Sequence, residues 1–266
     1  MKKSGKYLVK ILTLLILSGC TFANGYCQQE YDIFLMIGQS NMAGRGKLTE
    51  EDYKVIEGVY LLNAENNPEP ATNPLNKFST IRKDISMQQM SPAYGFAMKL
   101  HRETGRKILL IVNARGGSTI EEWSKDNQGK NYYSEAVKRA KEGCKYGVLK
   151  AIIWHQGEGN SEDPKDYLSK LSLFVSNLRE DLGNNKLPFI AGEIARWWEP
   201  YASNFNTVIQ SISTVIPCSD YITVEGTKSE TDLKDPHFNR ESQIIIGERY
   251  ARKVLLMCYG VKDKAE

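Results

Sequence analysis

Histidine and cysteine are scarce in this chain, with three and five residues among 266. No two cysteines have C-x-x-C spacing, which excludes a zinc site built on paired thiolates. Five cysteines over this length also exclude a small disulfide-held scaffold. No segment approaches the roughly 20 consecutive apolar residues of a membrane-spanning helix. Phosphate-cradling loops are missing too: no G-x-G-x-x-G occurs, and Gly44-Arg45-Gly46-Lys47 runs into Leu48 instead of Ser or Thr. Charge of one sign is not in excess. The net charge is +3, and setting aside the four lysines Lys2, Lys3, Lys6 and Lys10 turns +3 into −1. Nothing then argues for a nucleic-acid partner. What is present is ordinary globular usage, 41% hydrophobic and 25% charged, at a length that buries a sizeable core.

The first residues read as an export leader. Lys-rich residues 1–10 precede the apolar run Ile11-Leu12-Thr13-Leu14-Leu15-Ile16-Leu17, followed by Ser18-Gly19-Cys20. Leu17-Ser18-Gly19-Cys20 resembles a bacterial lipobox, which makes Cys20 the lipidated first residue of the mature chain. Thr21-Phe22-Ala23 offers a rival, ordinary cleavage site. The expectation is a signal peptide over 1–19, a tether over 20–30, one domain over 31–260 and a tail over 261–266. Its location is then the bacterial envelope, lipid-anchored, periplasmic or at the surface, or the medium. Cys27, Cys144, Cys218 and Cys258 remain, and an oxidising compartment permits disulfides among them. Cys258, on the apolar face of a predicted helix, reads instead as a buried free thiol.

Beyond the leader, short apolar runs alternate with helical patterns. The runs are Ile33–Ile37, Val59–Leu62, Ile108–Val112, Ala151–Trp154, Phe189–Ile194 and Tyr221–Val224. They are continuous, not alternating, as strands covered on both faces must be. Ser91-Pro92 reads as a helix cap and first residue, with Ala93, Phe96, Ala97 and Leu100 in one stripe. Leu168, Leu171, Val175, Leu178 and Leu182 form a second stripe, ended by Gly183. Ala251, Val254, Leu255 and Cys258 form a third, ended by Gly260. The span 65–89 reads as irregular. The pattern predicts a three-layer α/β sandwich, a parallel sheet of about five strands with helices on both faces.

In such sheets ligands bind beyond the carboxyl ends of the strands. Three predicted strands end in polar clusters: Gly38-Gln39-Ser40-Asn41-Met42, Asn113-Ala114-Arg115-Gly116-Gly117-Ser118 and Trp154-His155-Gln156-Gly157-Glu158. A fourth cluster, Asp235-Pro236-His237, precedes the last helix. Gly38 allows a sharp turn that presents the Ser40 hydroxyl; a lone Ser there also serves as a plain helix cap. Gly116-Gly117 lets backbone approach a ligand, and Gln156 carries an amide donor. Asp235, two residues before His237, can orient its ring and stabilise the imidazolium of a general base. Together these are the parts of an acyl-transfer site.

The four blocks resemble the SGNH/GDSL hydrolase superfamily, and within it the carbohydrate esterase family 6 and sialate O-acetylesterase-like branch. The resemblance implies a flavodoxin-like fold and removal of O-acetyl groups from sugars with no metal and no cofactor. It implies Ser40 as nucleophile and His237 as base. The oxyanion hole it implies comprises the Ser40 and Gly117 N–H groups and the Gln156 side chain. Much of the superfamily spaces the acid three residues before the histidine, whereas position 234 here is Lys. Asp235 and Glu158 are therefore both expected to face His237, with Asp235 slightly ahead.

Asn41, Arg115, Trp197 and Trp198 are the candidate substrate contacts, the tryptophans because exposed aromatics at a strand end suit a sugar ring. The partner is an acetylated polysaccharide or oligosaccharide, xylan-type or sialate-type. The membrane enters only through the lipid anchor. Two other readings stay open: a metal-dependent hydrolase using His155, Glu158 and His237, and a surface glycan-binding protein without chemistry.

Overall fold

The computed structural model describes residues 30–261. The expectations for residues 1–29, including the leader, Cys20 and Cys27, and for residues 262–266 lie outside the described residues.

The first strand, β1 (Tyr31–Gly38), is buried along its whole length. It lies at the sheet centre, parallel to β4 (Lys107–Ala114) and β5 (Gly147–His155). Its side chains alternate between two cores: Ile33, Leu35 and Ile37 join one, Phe34 and Met36 the other. That explains the unbroken apolar run, since neither face meets water. β2 (Val59–Leu62), β6 (Phe189–Gly192) and β7 (Ser219–Ile222) extend the parallel sheet.

The sheet has seven strands, not about five, in the order β3-β2-β4-β1-β5-β6-β7. The extra edge strand, β3 (Pro68–Pro70), pairs antiparallel with β2. It falls inside the span read as irregular, and two of its three residues are proline. Proline lacks the N–H that an inner strand needs, so such a segment fits only at an edge.

Helices cover both faces. α2 (Pro92–Thr104) and α7 (Arg240–Tyr259) pack together over the core holding Phe34 and Met36. α3 (Tyr132–Gly143), α4 (Tyr167–Asp181), α5 (Tyr201–Gln210) and the short α6 (Ile212–Val215) bear on the other core. Sequence periodicity found α2, α4 and α7 but missed α3, whose inner face is built of Tyr, Ala and Val instead of leucine. Cys144, Cys218 and Cys258 are free. Cys258 is half-buried, donates weakly to the Lys150 carbonyl at 3.4 Å and has its thiol pushed up to about 11 by burial.

Candidate active site

At the carboxyl end of β1 the chain turns sharply at Gly38, where φ is +138°. A Cβ there would lie 2.2 Å from the His155 carbonyl oxygen, so only glycine fits beside β5. The Gln39 N–H donates to that same oxygen at 2.9 Å, and Ser40 then opens the four-residue helix α1 (Ser40–Ala43). As first residue of a helix, Ser40 has an N–H with no acceptor inside it.

The candidate base arrives from the far end of the sequence. His237 lies in the loop before α7, and its Nε2 is 2.9 Å from Ser40 Oγ. Its Nδ1 is 2.6 Å from Asp235 Oδ1. The two-residue spacing works because Asp235 curls back over its own loop. Oδ1 accepts the His237 backbone N–H at 3.0 Å and the ring N–H as well. Oδ2 accepts from Thr231 Oγ1 at 3.0 Å, and the Asp235 carbonyl accepts from Trp197 Nε1 at 2.8 Å. With Nδ1–H donating to Asp235, Nε2 is free to accept the Ser40 hydroxyl proton.

The loop is clamped from its other side. Arg240, the first residue of α7, bonds both carboxylate oxygens of the buried Asp52 at 2.7 and 2.6 Å. That pairing, chiefly, holds the Asp52 carboxyl down at about 2.

Sequence reasoning passed over Arg45 after testing its surroundings only as a phosphate loop. Its Nη1 donates to the Gly44 and Met87 carbonyls at 2.9 and 2.8 Å. A Cβ on Gly116 would meet Arg45 Nη2 at 2.9 Å and Ser40 Cβ at 3.4 Å, so the guanidinium lies near Ser40. Burial lowers the pKa of His237 most, Asp235 opposes that, and Arg45 lowers it further. The imidazole therefore stays neutral, and able to take a proton, below the ordinary histidine value of about 6.5. Activity should be full above that depressed pKa and lost as pH falls through it. Arg45→Gln removes one lowering influence, so the acid limb of its kcat/KM profile moves to higher pH. A limb that stays in place would show that Arg45 does not act on His237.

Three expectations require correction. Glu158 does not face His237; its Oε1 accepts from Asn41 Nδ2 at 2.6 Å. Gln156 is fully buried with both amide hydrogens occupied, by the Ser118 carbonyl at 3.0 Å and Asn160 Oδ1 at 2.9 Å. Tyr167 fixes its oxygen at 2.7 Å, so Gln156 has no donor left for an oxyanion. Asn41 is fully buried and bonded to protein groups, which removes it from the substrate contacts. Trp197 and Trp198 are half-buried, Trp197 edge-on to Phe238 at 5.4 Å, and both keep a partly exposed face and with it their candidacy.

Gly117 is exposed, and its N–H donates to no described residue, as a donor aimed at a substrate requires. Arg115 is half-buried and without a hydrogen bond from its side chain to the described residues, so it keeps its candidacy. The metal triad does not assemble. His155 is sealed beneath the site with Nδ1 on Tyr250 at 2.9 Å, and among the described residues no three His, Cys, Asp or Glu converge to hold an ion.

Residues 30–256 match the family model described as carbohydrate esterase, sialic acid-specific acetylesterase. The chain belongs to that family. By that membership this carbohydrate esterase is a carboxylic ester hydrolase. It is 27% identical over 242 residues to a probable carbohydrate esterase of Arabidopsis thaliana, covering 84% of this chain and 90% of the relative. The X-ray structure of that plant protein superposes with a TM-score of 0.74 at 26% identity, covering 85% of this chain and 98% of the other. A carbohydrate acetylesterase from Xanthomonas citri shares the fold, with a TM-score of 0.64 at 18% identity over 86% of this chain and 57% of its own. The α/β sandwich of the sequence reading is thus the SGNH-type esterase fold.

Proposed function

We propose that the protein is a serine O-acetylesterase that removes acetyl groups from glycans through an acetyl-enzyme on Ser40. The observation that carries this is the unbroken line Ser40 Oγ, His237 Nε2, His237 Nδ1, Asp235 Oδ1, at 2.9 and 2.6 Å between side chains. Ser40 Oγ attacks the acetyl carbonyl while His237 Nε2 takes its proton, and Asp235 stabilises the imidazolium. The Ser40 and Gly117 N–H groups hold the oxyanion, each worth about 3 kcal/mol in comparable sites. His237 returns the proton to the departing sugar oxygen. Water, deprotonated by the same ring, then attacks the acetyl-enzyme and releases acetate with Ser40 restored.

An acetyl group needs only a small acyl pocket, so selectivity rests with the alcohol side, where Arg115, Trp197 and Trp198 are the remaining candidate contacts. Export to the envelope or medium fits the Lys-rich residues 1–10 and the apolar run behind them.

The test is acetate release from 4-nitrophenyl acetate, acetylated xylan and O-acetylated sialic acid, with chelator present. Release that resists chelator and is abolished by a serine-directed phosphonate is the expected result. Chelator-sensitive release would return the metal reading, and binding of acetylated glycan with no acetate release would return the binding protein.

A further inference from the structure

One buried side chain joins the nucleophile's helix to the loop of the base. Asn41 Nδ2 donates to the Pro236 carbonyl at 3.1 Å, and its Oδ1 accepts the Phe238 N–H at 3.2 Å. Pro236 and Phe238 flank His237, so a single amide fixes both peptide groups around the base. Asn41 is held in turn by Gln243 of α7, at 3.3 Å, and by Glu158 Oε1 at 2.6 Å. Glu158 has no other evident task. It bonds neither Ser40 nor His237, and among the described residues no cation pairs with it.

The surroundings decide its charge. Glu158 Oε2 is sealed from solvent and has no partner. The titratable groups near it are Tyr250 of α7, Tyr167 of α4 and, bonded to Tyr250, His155 of β5. Burial keeps both phenols protonated and pushes His155 down to about 3, so all three are neutral around it. Two more sealed atoms of this cluster, Gln243 Oε1 and His155 Nε2, lack partners. The first accepts protons only, and the second does so in the neutral tautomer with Nδ1–H on Tyr250. A carboxylate here would be a buried anion with no countercharge, its burial offset only by the Asn41 amide and the Gly157 and Glu158 N–H groups, while a carboxylic acid offers Asn41 the same oxygen at less cost.

We propose that Glu158 is a positioning residue acting as an uncharged acid: it fixes Asn41, and Asn41 holds the His237 loop at bonding distance from Ser40. The assignment rests on the serine-esterase reading. In that role the oxygen matters and the negative charge does not. Burial pushes the Glu158 carboxyl up to about 7, in keeping with the geometry.

The experiment compares the full chain with Ser40→Ala, Glu158→Ala and Glu158→Gln on 4-nitrophenyl acetate at pH 6.5. Glu158→Ala leaves Asn41 without its partner and should lose about 10- to 100-fold in kcat, with KM unchanged. Glu158→Gln returns an acceptor oxygen and should recover kcat to within about fivefold of the parent, the residual allowing for small shifts in geometry. A Gln variant as poor as the Ala variant would overturn the proposal, because a charge in the relay would then be required. So would an Ala variant at the parent's rate. Hydrolysis by the parent that survives Ser40→Ala is a separate failure, that of the serine mechanism itself.

Where Glu158→Ala does not fold, the Gln variant decides alone. A carboxyl raised to about 7 in the fold, from about 4.3 in the unfolded chain, gives stability fully present below pH 4.3 and lost as pH rises through 7. The parent should therefore lose melting temperature relative to Glu158→Gln between pH 5 and pH 8. A difference that is flat or reversed over that interval would mean that Glu158 is ionised in the fold, and the proposal would fall.

Discussion

Ser40→Ala should abolish acetate release, lowering kcat by about 10⁴- to 10⁶-fold, while the protein keeps its fold and melting behaviour. The side chain makes one hydrogen bond, to His237, and is 6% exposed at the floor of the site. Removing its hydroxyl takes away the attacking atom and little else, with a stability change of about 1 kcal/mol or less. The residual rate expected from the oxyanion donors and binding alone remains far below the parent's. Steady-state assays beside a thermal melt check both halves. Turnover within tenfold of the parent would remove Ser40 from the chemistry.

Asp235→Asn is the second large effect, about 10²- to 10⁴-fold in kcat with KM little changed. Asparagine keeps an oxygen for the His237 backbone N–H, and Asx turns accept either residue, so the loop should survive. The negative charge beside Nδ1 is lost. The imidazolium formed when Ser40 gives up its proton is then no longer stabilised, and this shows only as the reaction proceeds. Near-parental activity would mean that the second carboxylate is elsewhere, and with Glu158 turned toward Asn41 the described site offers no evident replacement.

The architecture was largely legible because burial on both faces writes unbroken apolar runs, and five of the seven strands carry one; β7 (Ser219–Ile222) opens on Ser219 and Asp220, is only partly buried, and shares just Tyr221 and Ile222 with the run read there. Pro68–Pro70 carries none at all, and no periodicity announces a two-proline edge. In the site, the blocks held the residues that the fold brings together, Ser40, His237 and Asp235. Their contacts were not. Spacing alone left Asp235 in doubt because it says nothing of a side chain turning back on its own backbone N–H. Gln156 looked like a free donor until Ser118, Asn160 and Tyr167 were seen to occupy it, residues 38, 4 and 11 positions away. Arg45 lies three residues beyond the Gly38–Met42 block, and only the approach of Gly116 from the turn after β4 gives it meaning.

The proposed nucleophile Ser40 and the proposed base His237 stand 197 residues apart, one at the end of the first strand and the other before the last helix. A ribosome therefore finishes most of the chain before the hydroxyl has anything to surrender its proton to. Any product truncated between residues 40 and 237 carries Ser40 and no His237, so on the proposed mechanism fragments left by stalled synthesis or by a protease clipping the C-terminal helix with its preceding loop should be catalytically silent. Two separately expressed pieces, split in one of the exposed connections between them, would regain turnover only by reassociating. Ester cleavage then becomes a direct reporter of whether the two ends of the polypeptide have met.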